Sequence, residues 1–158
     1  MAKKTNPHET IIKLLQQSYN MELETVINYL SISIHLDGFN ARQIKESLAE
    51  DVGAELDHAR ALAKRIKVLD GTIPGSLDLS FSQKKLQPPA DALDIKVVVQ
   101  GVIEAEEGAI AQYQKLIEAS AEIDPVTNEL AIEHKGDEEE HRREFVGFLR
   151  EIQRMGIQ

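Results

Sequence analysis

The chain contains no cysteine and no tryptophan, and aromatic residues make up only 4% of its 158 positions. Without cysteine there is no disulfide and no thiolate metal site, so any bound metal must rest on oxygen and nitrogen donors. The same lack suits a reducing compartment, and the cytoplasm is the expected location. No run approaches the roughly 20 apolar residues that a membrane span needs. The charged opening Met1-Ala2-Lys3-Lys4 has no apolar segment behind it, so neither a membrane protein nor a secreted precursor is expected. Positive charge is also scarce: 18 basic residues stand against 27 acidic ones, a net charge of −9. Such a balance argues against a nucleic-acid partner and favours the attraction of cations. Few aromatics beside abundant Ala, Glu, Leu, Ile, Lys and Gln favour helix over sheet. The length suits one domain over residues 1–158 with a core of its own.

What is present is helical periodicity broken at three places. Asn6-Pro7-His8-Glu9 reads as a helix start, with Asn as cap and Pro at the first helical position. The first helix then runs to about Asp37-Gly38, where Gly suits a left-handed C-terminus. Asn40-Ala41-Arg42-Gln43 reads as a capping box opening a second helix that ends near Asp70-Gly71. Residues 71 to about 93 hold Pro74 and the Pro88-Pro89 pair and little periodicity. That link is too long for a helix–helix turn and long enough to run the height of a bundle about 40 Å tall. A third helix starts around Asp94 and fades near Ala119-Ser120; Asp124-Pro125 opens a fourth that reaches about Met155-Gly156. The fold class is therefore all-α: an antiparallel four-helix bundle with a long crossover between helices 2 and 3.

The apolar lines of these helices are interrupted by acids. In helix 1 the inward line reads Ile11, Leu15, Ser18, Glu22, Thr25, Tyr29; in helix 2, Leu48, Asp51, Glu55, His58, Leu62, Ile66. In helix 3 it reads Val99, Ile103, Glu106, Ile110, Tyr113, Ile117; in helix 4, His134, Glu138, His141, Phe145, Phe148. Glu104 and Glu107 fall off the third line and are expected in solvent. A carboxylate on a buried line costs several kcal/mol unless it is paired or metal-bound. Glu55-x-x-His58 and Glu138-x-x-His141 each put a carboxylate and an imidazole one turn apart on one face. Glu22 lies 33 residues before Glu55, and Glu106 lies 32 before Glu138. The chain thus reads as two copies of one hairpin. Four Glu and two His form the ligand set of a carboxylate-bridged two-metal site. Glu55 and Glu138 are read as bridges, with Glu22 and His58 completing one end and Glu106 and His141 the other. Imidazole favours transition metals over magnesium or calcium. A charged bundle whose Glu and His merely pair at the surface is the plainer alternative, and the two acids on buried lines speak against it.

Met21-Glu22-Leu23 to Tyr29, Glu55-x-x-His58, Glu106, Asp137-Glu138-x-x-His141 and the closing Ile152-Gln153-Arg154-Met155-Gly156 resemble the ferritin-like proteins. The similarity is greatest to bacterioferritins and to Dps-like proteins with a bacterioferritin-type di-iron site. It spans nearly the whole chain. The resemblance implies ferroxidase activity, in which iron(II) is oxidised by oxygen or hydrogen peroxide. Storage of the ferric mineral in a hollow homo-oligomer is implied with it. Two iron ions per subunit are expected, with manganese or zinc as other occupants of the same donors. Bacterioferritins ligate haem through a Met directly after the first Glu of Glu-x-x-His; Leu56 stands there, so no haem is expected. The cysteine pair of archaeal Dps-like members is missing as well.

The chain stops within a few residues of helix 4, without the short fifth helix of the larger cages. The expectation is therefore a shell of twelve subunits rather than twenty-four. A second apolar stripe on helix 1, Leu23, Ile27, Leu30 and Ile34, is a candidate contact surface, or packs inside the bundle. Two other functions stay open. One is a non-storing two-metal oxidoreductase, such as a rubrerythrin-like peroxidase or a dimanganese catalase; the other is a helical assembly protein with a vestigial site. Tyr29 and Tyr113 could hydrogen-bond a ligand, supply an electron or simply pack, and His134 could be an extra ligand or an outer neighbour. Asp137 precedes Glu138 where the first repeat has Ala54, so outer support is expected to differ between the two ends. His8 and His35 read as surface or capping residues.

Overall fold

The computed structural model describes Asn6 and residues 8–157. Met1-Ala2-Lys3-Lys4 and Pro7 lie outside the described residues. Four long helices, α1 (Glu9–His35), α2 (Arg42–Val68), α3 (Ile95–Ser120) and α4 (Pro125–Met155), make up the bundle. α1 packs along α2 and α3 along α4, and α1 meets α3 across the bundle. Each pair is a hairpin closed by a short link, so the partners run antiparallel.

Local chemistry sets most of the ends. Asp94 caps α3 by accepting from Val97 N, and Asp124 caps α4 by accepting from Thr127 N with Pro125 in the first turn. Gly156 takes the left-handed conformation that closes α4. Three expected ends differ, the first being the start of α1, which begins at Glu9 with His8, not Asn6, at its cap position. Asn40 does not cap α2: it sits inside a single 3-10 turn, Phe39–Ala41, and α2 starts without a side-chain cap. Gly38 is left-handed, with φ 94°, but α1 has already ended on extended Leu36. At the end of α2 the left-handed residue is Asp70, at φ 60°, and the N–H of Gly71 donates to Ile66 O at 2.9 Å. Gly71 is needed there for closeness, since a Cβ would come within 2.7 Å of Ile12 Cγ2.

The core is divided in two. At one end Tyr29, Ile32, Leu48, Val98, Val102 and Phe145 pack together; at the other Ile11, Leu15, Leu62, Ile66, Leu116 and Ala131 do so. Each fully buried aliphatic or aromatic side chain contributes about 1.5–3 kcal/mol. These two apolar clusters therefore supply the stability that lets the acids between them stay buried.

The crossover from α2 to α3 is tied to the outside of α1 by polar contacts. Glu24, buried although off the inward line, accepts from Ser82 N and Gln83 N, both at 2.6 Å. Asn20 pairs with the backbone of Ser80 in both directions, and His35 donates from Nε2 to Pro89 O at 2.8 Å. His35 thus pins the crossover instead of being an idle surface group. On the α3 side the approach is so close that a Cβ at Gly101 would lie 2.4 Å from Lys85 O. Among the described residues no helix is long and apolar enough to cross a membrane.

Candidate metal centre

Between the two apolar clusters, all four helices turn an acid inward at the same level. The inward lines expected for α1 and α2 are buried throughout, and Glu22, Glu55, Glu106 and Glu138 are each at most 3% exposed. Glu104 and Glu107 are in solvent. Two groups of ligand atoms form, each within a 4.8 Å span: Glu22, Glu55, His58 and Glu138, and Glu55, Glu106, Glu138 and His141. The structure therefore brings all six expected residues together, and the two groups share Glu55 and Glu138.

The shared carboxylates face both ends with different oxygens. Glu55 Oε2 is 3.2 Å from His58 Nδ1, and its Oε1 is 3.2 Å from His141 Nδ1. Glu138 mirrors this, with Oε1 3.1 Å from His58 Nδ1 and Oε2 3.3 Å from His141 Nδ1. Glu22 Oε1 lies 3.7 Å from His58 Nδ1, and Glu106 Oε1 lies 4.0 Å from His141 Nδ1. The terminal carboxylates are held crosswise. Tyr29 on α1 donates its hydroxyl to Glu106 on α3, and Tyr113 on α3 donates to Glu22 on α1.

Whether these residues fit a metal pair is a question of unmet polar atoms. Both oxygens of Glu55, Glu138 Oε2 and His141 Nδ1 are buried and make no hydrogen bond. Four carboxylates buried around a common centre, two of them with orphaned oxygens, are costly as they stand. Two divalent cations would neutralise their four negative charges and use those lone pairs. The protein's own charges show the same demand. Burial pushes the Glu22 carboxyl well up, reinforced by repulsion from Glu55 and Glu138; Glu106 is raised by burial and by the same two acids. For Glu55 and Glu138 burial also acts upward, but contacts with His141 and His58 outweigh it and hold both carboxyls low. Burial disfavours charged imidazole, yet Glu138 and Glu55 push His58 up to about 10 and His141 up to about 12. Protons on the imidazoles and outer acids thus stand where cations would stand. The set fits two adjacent divalent transition-metal ions.

Outside this set, His134 belongs to neither ligand group. Its ring stacks on His58, centroids 4.2 Å apart, and its Nδ1 lies 3.2 Å from the Tyr113 hydroxyl. Asp137 Oδ2 accepts from His58 Nε2 at 3.0 Å. At the other end the acid beside the imidazole is Asp51, whose Oδ1 is 3.7 Å from His141 Nε2. Asp51 lies on the inward line expected for α2. A signal for it existed: Asp51 and His134 are 83 residues apart, as are Glu55 and Glu138, so they hold equivalent places in the repeat.

With fold and site described, the chain belongs to the ferritin-like family: residues 12–155 match the ferritin-like domain. It is 26% identical over 145 residues to a DNA protection during starvation protein of Pyrococcus furiosus, across 89% of this chain and 77% of that one. Its fold is shared with the bacterioferritin-related protein of Bacteroides fragilis, described as a dodecameric thioferritin. That likeness has a TM-score of 0.80 at 21% identity, covering 94% of this chain and 89% of the other. A ferritin-like, diiron-carboxylate protein of Bacillus anthracis str. Ames matches with a TM-score of 0.79 at 22% identity, over 89% and 96% of the two chains.

Proposed function

We propose that this chain is a ferroxidase that oxidises iron(II) at a two-iron centre and stores the ferric product inside a hollow homo-oligomer. The observation that carries this reading is the sharing of Glu55 and Glu138 between two ligand groups, with one carboxylate oxygen turned toward each imidazole. Glu55 and Glu138 bridge the ions; Glu22 and His58 complete one position, Glu106 and His141 the other. Two iron(II) ions so held deliver one electron each, which reduces oxygen to hydrogen peroxide, or peroxide to water, with uptake of two protons.

The chain's own groups prepare for this. The apolar clusters fill the bundle axis on either side of the centre. Tyr29 and Tyr113 hold the terminal carboxylates in place, so less ligand motion remains to be frozen when metal enters. Leu56, on the exposed side of α2, offers no sulfur to a haem, and the protein works without one. Manganese or zinc can occupy the same donors without the same oxidation chemistry.

The hollow oligomer is supported by Ile27, Leu30 and Ile34, which α1 leaves in solvent, and by the dodecameric neighbour. Twelve cytoplasmic subunits enclosing the mineral is the reading we adopt. The net charge of −9 speaks against DNA as a partner of this chain.

The test is stopped-flow oxidation of iron(II) by oxygen and by peroxide. Wild type should show a fast phase that saturates at two iron per subunit, and Glu55→Ala or Glu138→Ala should lose most of it. Wild-type rates in both variants would sink the assignment. A fast phase without retained mineral would favour the alternative, a non-storing two-metal oxidoreductase.

A further inference from the structure

We propose that His134 and Asp137 pre-organise the Glu22–His58 half of the centre, so that it takes the first divalent cation and the Glu106–His141 half takes the second. This rests on the two-metal reading above and goes beyond it by making the halves unequal.

The terminal carboxylates do not distinguish them, because each receives one tyrosine hydroxyl. The imidazoles do. His58 is fixed from two directions: its Nε2 donates to Asp137 Oδ2 at 3.0 Å, and its face lies on His134, 4.2 Å between centroids at 23°. With Nε2–H committed to Asp137, Nδ1 is the nitrogen that faces Glu55 and Glu138 and would exchange its proton for a metal ion. His134 is fixed in turn. Tyr113 gives its proton to Glu22, so its oxygen accepts from His134 Nδ1 at 3.2 Å. One side chain therefore braces both Glu22, through Tyr113, and His58, through stacking.

The other half has no such brace. The repeat places Asp51 where His134 stands, and Asp51 Oδ1 is 3.7 Å from His141 Nε2, beyond a hydrogen bond. Asp51 Oδ2 is buried with no partner, and the ring contacts among the described residues do not include His141. Metal entering there must first order the His141 ring; metal entering beside His58 finds its imidazole in place.

Cobalt(II) titration of the metal-free protein, followed by calorimetry and by cobalt absorption, tests this. Wild type should bind two ions in two steps, the first at least about tenfold tighter, the scale of an outer-neighbour effect on metal affinity. Glu106→Ala should keep the tight step and Glu22→Ala should lose it. Asp137→Ala should weaken the first step about 10–100-fold and leave the second unmoved. The Asp137 side chain is 49% exposed, so this change disturbs no core. Asp137→Asn, still an acceptor, should recover part of the loss. His134→Gln, which keeps a donor for Tyr113 and removes the stack, should weaken the first step less than Asp137→Ala. Two equal steps in wild type, or a tight step that survives Glu22→Ala and vanishes in Glu106→Ala, would overturn the proposal and leave the two-metal reading standing. No cobalt binding at all would overturn both.

Discussion

The hydroxyl of Tyr113 donates to Glu22, a carboxylate one whole helix away, and Tyr29 returns the contact from α1 to Glu106 on α3. The two bonds cross the bundle axis and tie one hairpin to the other at the level of the acids. They are not equal in what depends on them. Tyr113 also accepts from His134, whereas the hydrogen bonds of Tyr29 end at Glu106.

Phe at position 113 should therefore cost more than Phe at position 29. Tyr113→Phe strands a buried imidazole N–H as well as a buried carboxyl, each worth about 1–3 kcal/mol when left unmet. Tyr29→Phe strands only the carboxyl. Urea or guanidinium unfolding of the metal-free protein should rank wild type above Tyr29→Phe and Tyr29→Phe above Tyr113→Phe. Equal losses would mean that the His134 contact is idle.

Most of the centre was legible because helical spacing is a strong signal when it carries an unexpected residue. Glu22 and Glu106 announce themselves as acids in apolar company, and the repeat supplies the pairing. What was hidden depends on chain paths that no local pattern records. Glu24 looks like a solvated acid, one residue off the inward line at Thr25, until the crossover lays Ser82 and Gln83 N–H groups against it. His35 gains its role only because Pro89 passes by. The left-handed residue behind α2 was not readable from the sequence either. Gly71 had to be small to pass Ile12, which left Asp70, whose short polar side chain tolerates it, to take the left-handed turn.

Two glycines make a paired test of the crossover's docking. Gly53 sits inside α2 with nothing within 4 Å of a Cβ, so Gly53→Ala should stabilise by about 0.5–1 kcal/mol through helix propensity. Gly101 is also helical, but a Cβ there meets Lys85 O at 2.4 Å, which is backbone and cannot swing aside. Gly101→Ala should destabilise by about 1–3 kcal/mol, the usual cost of overpacking. It should also raise amide exchange over residues 82–87. Thermal unfolding and hydrogen exchange read both; a stabilised Gly101→Ala would show that the crossover is loosely held.

Acid should loosen the start of α4 and its tie to α2 through Asp124. Burial alone would raise this carboxyl, but bonds from Arg65 Nη2 at 2.7 and 2.8 Å and from Thr127 outweigh it and hold it at about 2. A carboxyl held below its unfolded value of about 3.9 contributes its stability above that value, about 2 kcal/mol here, and loses it as pH falls toward 2. Arg65→Met should therefore be destabilised at neutral pH, and its gap to wild type should shrink as pH drops below about 4. Chemical denaturation at stepped pH measures the gap; a difference constant down to pH 3 contradicts the pairing.

Assembly is open to the most direct check. Ile27, Leu30 and Ile34 are 51%, 49% and 73% exposed along one side of α1, away from the seam that holds Glu22. Aliphatic side chains at steps of three and four, left in water, are the profile of a helix face that another copy covers. Leu23, the first of that stripe, is half-buried, so the face continues toward the bundle and does not fold into it. Light scattering coupled to size exclusion should give a mass near twelve times 17.7 kDa for wild type. A double change, Ile27→Glu with Ile34→Glu, should break the shell into small species while circular dichroism keeps the helix signal, because neither side chain belongs to a core cluster. A wild-type mass near twenty-four subunits would reject the small cage. A wild-type monomer or dimer would leave no interior for mineral, and the two-metal centre would then belong to an enzyme that releases its product.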